Sequence, residues 1–271
     1  MTTDDPAVRC TGLRYAFGDT VAVGGIDLVV RTGEIFGLLG PNGAGKTTTI
    51  RAITTLLPVP RGIVRVFDLD VARRKIAVRR LIGYVPQLLS ADGALTGREN
   101  VALFARLFDV PRRERAARVA DVIDAMGLTE AADRQTKTYS GGTVRRLELA
   151  QALVSAPRLL ILDEPTIGLD PVARTGVWER IAEVRRQTGM TVLVTTHYME
   201  EAEGACDRVA LMHRGLIRAV GSPGELIDSL GGDGAATLDD VFRAYTGDEW
   251  TDQTKGFRHV QQTRRTASRL G

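Results

Sequence analysis

Short runs of consecutive apolar residues recur along the chain and predict the strands of a buried parallel sheet. Within each run the apolar residues follow one another, whereas a strand with one face in water alternates apolar and polar residues. Turn residues or polar segments bound the runs, which are residues 34–39, 81–85, 158–163 and 191–195. The same pattern predicts a hairpin near the end of the chain, formed by residues 209–212 and 216–220.

The first part of the chain predicts a separate group of strands. Residues 8–15 and 21–30 read as strands around a turn at Gly18 and Asp19, and residues 63–67 read as another strand. We therefore expect an α/β chain whose mostly parallel sheet carries an N-terminal antiparallel β subdomain.

Helical periodicity dominates the region from about residue 90 to 156 and predicts an inserted α-helical subdomain. Residues 99–108 are helical in period, and Pro111 is expected to open a second helix. Residues expected on the apolar face of that second helix are Ala116, Val119, Ile123 and Met126. A further amphipathic helix follows Ser140, and the residues expected to share its face are Val144, Leu147, Gln151 and Val154. Farther along, residues 171–187, 223–230 and 238–246 also read as helices.

Composition excludes some classes of protein and leaves others open. The 271 residues can bury a substantial core, and the net charge of +3 is too small to argue for a nucleic-acid partner. Cys10 and Cys206 have no metal-ligand spacing and are expected to be reduced and buried. We expect no signal peptide, because residues 1–7 are polar and acidic, and no apolar run approaches the length of a membrane span.

The residues that follow the first apolar run form a phosphate-binding loop. Its sequence matches Gly-x-x-x-x-Gly-Lys-Ser/Thr, and a strand precedes it while a helix over residues 48–57 follows. Glycines allow several backbone N–H groups to point at one anion, and the helix start adds its positive dipole end. The predicted fold core is thus that of a P-loop NTPase. The loop residues are Gly40, Pro41, Asn42, Gly43, Ala44, Gly45, Lys46, Thr47 and Thr48.

Lys46 is expected to reach the β- and γ-phosphates of a nucleotide, and the Thr47 hydroxyl is expected to bind Mg²⁺. Asp163 and Glu164 end another predicted strand, where ligands bind in open α/β sheets. Adjacent residues on a strand face opposite sides, so Asp163 can face Mg²⁺ while Glu164 faces an attacking water. An acidic strand exit without function is the alternative. His197 follows a further predicted strand and is expected at the same edge.

Together these motifs resemble the ATP-binding subunit of an ABC transporter, over about residues 8–247. Ser140, Gly141 and Gly142 resemble the family's signature motif, which contacts the γ-phosphate held by the opposite subunit. The resemblance implies that Tyr15 stacks on adenine and that Gln87 is the Q-loop glutamine, which contributes to the metal site. It also implies that Asp170 belongs to the D-loop and that His197 is the switch histidine.

Two positions depart from the family pattern. Tyr139 and Thr143 replace the outer residues of the usual Leu-Ser-Gly-Gly-Gln signature, and Thr143 is too short for the reach of glutamine. Ile167 stands where the D-loop often has a small polar residue. Residues 238–247 are similar to the C-terminal signature of daunorubicin-resistance ATPases, which narrows the resemblance to drug exporters. Residues 248–271 are expected to form a polar, flexible tail.

The resemblance implies an enzyme that uses ATP and Mg²⁺ and works as a homodimer of ATP-binding subunits. It would sit on the cytoplasmic face of the cell membrane, bound to a separate polytopic permease, and would power export of a drug or another hydrophobic compound. Glu164, His197 and Lys46 would be its catalytic residues. A soluble ABC ATPase of translation or DNA repair is the alternative, although such proteins usually carry tandem cassettes or long coiled-coil insertions.

Overall fold

A six-stranded sheet forms the centre of the computed structural model, which describes residues 6–88, 90–231 and 236–247. Its strand order is β10-β9-β3-β8-β7-β6, and all neighbours are parallel except the hairpin of β9 and β10. Every residue of β3, β7 and β8 is buried, which explains their unbroken apolar runs. The strands are β3 (Ile35–Leu39), β6 (Ile82–Val85), β7 (Leu159–Asp163), β8 (Thr191–Thr196), β9 (Arg208–His213) and β10 (Leu216–Gly221).

A second, antiparallel sheet covers one side of this centre, as the sequence predicts. Its strand order is β2-β1-β4-β5. The two-residue strand β5 was not predicted from the sequence. The strands are β1 (Val8–Phe17), β2 (Thr20–Val30), β4 (Val64–Val66) and β5 (Leu69–Asp70).

Nine helices connect the strands within the part of the chain that the structure describes. They are α1 (Lys46–Ile53), α2 (Lys75–Leu81), α3 (Gly97–Leu107), α4 (Arg115–Ala125), α5 (Gly141–Leu153), α6 (Pro171–Thr188), α7 (Met199–Ala205), α8 (Pro223–Asp228) and α9 (Leu238–Thr246). None of these helices has both the length and the apolar character that crossing a bilayer requires. The predicted flexible tail lies outside the described residues.

Helices α3, α4 and α5 form the predicted helical subdomain between β6 and β7. A capping box between Thr96 and Glu99 starts α3. The prediction that Pro111 opens α4 is wrong, because Pro111 instead begins a turn closed by the amide of Glu114, and the helix starts at Arg115. Ala116 in the first turn of α4 is exposed, whereas the later residues of the predicted face are buried as expected.

The core lies on both faces of the central sheet, and strand β3 shows how the chain fills it. Ile35 and Leu39 point into one cluster with the helical subdomain, whereas Phe36 and Leu38 point into the other with the antiparallel sheet. Successive residues of a strand face opposite sides, so one short apolar run contributes to both clusters. Cys10 and Cys206 are free and buried, as predicted. This sheet fixes the positions of the loops at its carboxyl edge.

Candidate functional site

The phosphate-binding loop joins the end of β3 to the start of α1. Its glycines are required by close contacts: a Cβ on Gly40 would lie 2.2 Å from the Met212 carbonyl oxygen, and one on Gly45 would lie 2.4 Å from that of Ala22. Gly45 also has a φ of 106°, which favours glycine. Helix α1 starts at Lys46, two residues before the predicted start, so its N-terminus directly faces the loop.

Lys46 is held at the centre of this loop although its ammonium is buried. Its Nζ donates to the carbonyl oxygens of Gly40 at 2.6 Å and Pro41 at 3.3 Å. It also lies 3.1 Å from Oε1 of Glu164, with both side chains only 5% exposed. The lysine therefore has oxygen partners without a nucleotide, and one of them is a carboxylate.

The parallel register of β7 and β8 brings the acids of the site beside the loop. Asp163 pairs with Thr195 across the two strands, and the Thr195 hydroxyl donates to Oδ1 of Asp163 at 2.7 Å. The Thr47 hydroxyl reaches the same oxygen at 3.2 Å. Burial raises the pKa of Asp163 above its ordinary value, although both hydroxyls act in the opposite direction.

Glu164 occupies a backbone conformation that few non-glycine residues adopt. Its φ is 54°, and its amide donates both to the carbonyl and to the hydroxyl of Thr195. Nδ1 of His197 lies 2.6 Å from its Oε2. Burial alone would raise the pKa of Glu164, but the contact with His197 and the charge of Lys46 outweigh burial and hold the pKa below its ordinary value.

Lys46, Thr47 and Glu164 line a cavity of about 210 Å³ at the carboxyl edge of the sheet. Its lining combines the phosphate-binding loop with Gln87, Glu164 and Ala22. Loop amides and a lysine at the start of a helix are suited to bind phosphate groups. The cavity can therefore hold the phosphates of a nucleotide between a cationic loop and an acid positioned for an attacking water.

Several predicted residues lie outside the lining of this cavity: Gly40, Asp163 and His197 contact residues of the lining, and Asp170 caps the start of α6. Two further sets also lie outside it. Tyr15 is half-buried on β1, whereas the neighbouring Phe17 is 50% exposed and its ring centroid lies 5.1 Å from that of Tyr15. The sequence interpretation did not single out Phe17, although the two aromatic residues lie two positions apart on one strand. The second set, Ser140, Gly141 and Gly142, starts α5 elsewhere on the chain.

The signature residues form an exposed helix start. The Ser140 hydroxyl caps α5 by accepting from the Thr143 amide, and its oxygen lies 2.8 Å from the Thr143 hydroxyl oxygen. A Cβ on Gly142 would lie 2.8 Å from Cβ of Ala173 in α6, so glycine permits the close approach of the two helices. Asp170 caps α6 in the same way, by accepting from the Ala173 amide. The two helix starts thus present one exposed surface.

Sequence reasoning missed Thr195 and two buried charged residues of α5, Arg145 and Glu148. Thr195 lies within an apolar strand, so nothing in the sequence distinguishes its hydroxyl from that of any strand threonine. Arg145 and Glu148 stand beside the predicted apolar face of α5 in the sequence, yet both are only 2% exposed. Their spacing of three residues on a helix was the signal for an ion pair.

Comparisons with known proteins agree with this geometry. Residues 23–167 match the family model described as "ABC transporter". The chain is 46% identical over 225 residues to the daunorubicin/doxorubicin resistance ATP-binding protein DrrA of Streptomyces peucetius, covering 83% of this chain and 68% of that protein. It is 39% identical over 226 residues to the linearmycin resistance ATP-binding protein LnrL of Bacillus subtilis, covering 83% and 72%. A solved structure of an ATP-binding subunit of an ABC transporter superimposes with a TM-score of 0.78 at 28% identity, covering 89% and 99%.

Proposed function

Because this chain belongs to the ABC transporter family, whose members hydrolyse ATP to drive transport, we propose that it powers export through a separate membrane subunit. The exported compound is a drug or another hydrophobic molecule. The observation that carries the ATPase assignment is that Lys46 and Glu164 meet in the cavity beside the phosphate-binding loop, with His197 in contact with Glu164. The names of the relatives, which concern drug resistance, support the proposed cargo.

Hydrolysis begins with an exchange of partners at Lys46. The phosphates of ATP bind to the amides of the loop and replace Glu164 as the anionic partner of the ammonium. Glu164 is then free to orient or deprotonate the water that attacks the γ-phosphate in line. His197 contacts Glu164, and the family resemblance assigns it a contact with the γ-phosphate. Positioning and charge stabilisation supply most of the rate enhancement in such a reaction.

The donor set beside Lys46 fits Mg²⁺. Thr47 and Asp163 supply a hydroxyl and a buried carboxylate within 3.2 Å of each other, and Gln87 lines the same cavity. Mg²⁺ prefers oxygen ligands and usually completes its shell with substrate phosphates and water. Among the described residues, no group of three or more His, Cys, Asp or Glu forms a self-contained metal site, so phosphates are needed to complete this one. When bound, Mg²⁺ neutralises charge that develops on the phosphates.

Two copies of the chain would complete each site as a homodimer. Within one chain the described lining of the cavity includes no signature residue, yet Ser140, Gly141 and Gly142 present an exposed helix start that can donate to a phosphate. A head-to-tail pair would bring that helix start of one subunit to the loop of the other, with Asp170 at the interface.

The exposed ring of Phe17 supports a refinement of the adenine site. Stacking requires an accessible aromatic face, and Phe17 offers one, whereas Tyr15 packs against the buried cluster beneath the antiparallel sheet. We assign stacking to Phe17, with the adjacent Tyr15 supporting it.

A second cavity, of about 320 Å³, suits the membrane partner. Apolar side chains dominate its lining, among them Leu56, Phe104 and Phe108. Leu88, close by in sequence, is 82% exposed, and Leu107 on α3 is 65% exposed. Exposed apolar surface of this kind marks an interaction site. A helix from a cytoplasmic loop of the permease would fill it and hold the chain at the cytoplasmic face of the membrane. A role in translation or DNA repair is not favoured by the relatives.

The export proposal is tested by drug accumulation in cells. Cells that express this chain with its membrane partner should accumulate less daunorubicin, measured by its fluorescence, than cells with Lys46→Ala at equal expression. Equal accumulation across daunorubicin, doxorubicin and linearmycin would reject export of these compounds. ATP hydrolysis by the purified complex, tested in parallel, separates a wrong cargo from an inactive preparation.

A further inference from the structure

A buried ion pair in α5 connects the helix of the signature residues to the Gln87 region. Arg145 and Glu148 lie one turn apart, with Nη1 of Arg145 2.9 Å from Oε2 of Glu148 and both side chains at most 2% exposed. Removing two charges from water is costly, and an apolar pair of similar volume would often be as stable. Stability alone therefore gives little reason for charges at these two positions.

The remaining hydrogen bonds of the pair all go to one segment. Nη1 of Arg145 donates to the carbonyl of Pro86 at 2.9 Å, and Nη2 donates to the carbonyl of Gln87 at 3.1 Å. The carboxylate of Glu148 accepts from both the amide and the hydroxyl of Ser90. The pair thus binds the backbone at Pro86 and Gln87 on one side and at Ser90 on the other side of the exposed Gln87 side chain.

This segment belongs to two cavities at once. Gln87 lines the cavity beside the phosphate-binding loop, while Pro86 and Ser90 line the apolar cavity of about 320 Å³. Among the residues that the structure describes, no hydrogen bond holds the exposed Gln87 side chain, so its backbone is the part of the residue that is fixed. Whatever fixes that backbone also fixes the point from which the Gln87 side chain extends toward the metal donors Thr47 and Asp163.

We propose that Arg145 and Glu148 are positioning residues that clamp the Gln87 backbone to the signature helix, so that Gln87 meets Mg²⁺–nucleotide only while the clamp is closed. A shift of α5 would then move Gln87 and the edge of the apolar cavity together. The proposal rests on the nucleotide site proposed above. No sequence motif of the nucleotide site includes Arg145 or Glu148.

The test removes both charges together. Arg145→Met with Glu148→Gln leaves no unpaired buried charge and keeps an oxygen that can accept from the Ser90 amide, so the fold should hold. It removes the donors to the Pro86 and Gln87 carbonyls. Because groups that orient a metal ligand typically change metal affinity or activity by about 10–100-fold, we expect the Mg²⁺ concentration for half-maximal binding of a fluorescent ATP analogue to rise by about ten-fold. Turnover should fall in parallel.

A matched control is the exposed pair on α4. Arg118 and Glu114 lie 3.0 Å apart, and both are about one-third exposed. Their replacement by Met and Gln should leave Mg²⁺-dependent binding and turnover unchanged. The thermal midpoint of every variant is measured so that a general loss of structure is recognised. Should the double variant not fold, Arg145→Lys replaces it, because lysine keeps the charge but lacks the two separate guanidinium nitrogens that reach the Pro86 and Gln87 carbonyls.

Adding Gln87→Ala to the Arg145→Met, Glu148→Gln variant tests whether the ion pair positions Gln87 or only stabilises the fold. If the clamp acts through Gln87, adding Gln87→Ala to the clamp variant raises the Mg²⁺ requirement no further. Additive effects, or a folded clamp variant with a wild-type Mg²⁺ requirement, would overturn the inference. Lys46→Ala separates the two levels of the argument: normal ATP binding by that variant would refute the proposed nucleotide site instead of the clamp.

Discussion

Glu164 is the residue whose substitution tests the proposed chemistry most directly. Its side chain is 5% exposed and contacts Lys46 at 3.1 Å and His197 at 2.6 Å. Glu164→Gln keeps the shape of the side chain and removes its charge, so ATP should still bind while the attacking water loses its orienting base. Loss of about 3–4 kcal/mol of transition-state stabilisation corresponds to a fall in turnover of roughly a hundred- to a thousand-fold.

The same substitution should strengthen ATP binding. Within the chain, Glu164 is the anionic partner of Lys46, and a phosphate that binds Lys46 would compete with it. With glutamine at this position, Lys46 keeps only the carbonyl partners in the loop. We expect a gain of about 1.4 kcal/mol in the free energy of ATP binding, or ten-fold in affinity. This gain is a modest share of the ~4 kcal/mol interaction energy of two unit charges 4 Å apart near a protein surface.

The assay measures ATP binding and turnover on the same preparation, with size-exclusion chromatography in the presence of ATP and Mg²⁺. Glu164→Gln should accumulate as an ATP-bound dimer. Glu34→Gln is the matched control, because Glu34 is also buried and ion-paired, at 3.1 Å from Arg208, but lies at the opposite end of β3. Near-normal turnover in Glu164→Gln would remove this residue from the mechanism, and unchanged affinity would refute the exchange of partners at Lys46.

Three further predictions concern the same site. Lys46→Ala and Ser140→Arg should each be inactive alone. Confirmed heterodimers of the two should recover hydrolysis, because one site then combines an intact loop with an intact signature. If cysteines placed at positions 42 and 140 crosslink only within a chain, this arrangement is rejected. Phe17→Ala should weaken ATP binding by about 1–3 kcal/mol, the usual contribution of one stacked base, and more than Tyr15→Ala, measured by calorimetric titration. The free energy of unfolding by denaturant should differ between wild type and Lys46→Ala, and the difference should be largest above pH 4.5, the ordinary carboxyl pKa. It should shrink as the pH falls through the lowered native pKa of Glu164, because protonation removes the charge that Lys46 stabilises.

Residues that act through their own backbone or through a strand end could be predicted from the sequence. The phosphate-binding loop requires glycine where Met212 and Ala22 approach, and that requirement appears directly in the motif. Asp163 ends a buried strand, and the parallel sheet brings every such end to one edge. The fold class could be predicted for the same reason, because unbroken apolar runs are typical of strands with both faces covered.

Residues whose role depends on contacts far along the chain could not be predicted. Arg145 reads as one of several charged residues beside an apolar helix face, and its partners Pro86 and Gln87 precede it by about sixty positions. Phe17 and Tyr15 lie two positions apart on one strand, where the strand period places both on the same face, so only the fold reveals which ring is exposed. The start of α4 was misplaced because proline favours both a turn and a first helical turn.

Lys46 connects the nucleotide site to Glu164 and, through Glu164, to His197 and Thr195 at the carboxyl edge of the sheet. Glu164 is held by Lys46 on one side and His197 on the other, and its strained backbone is tied to Thr195. When a phosphate takes the place of Glu164 at Lys46, the carboxylate loses the charge that lowers its pKa and gains an anionic neighbour. Both changes make Glu164 a better proton acceptor at the moment a water stands before the γ-phosphate. Lys46 and His197 thus favour the ionised Glu164 carboxylate, and we expect bound phosphate to release it for the attacking water.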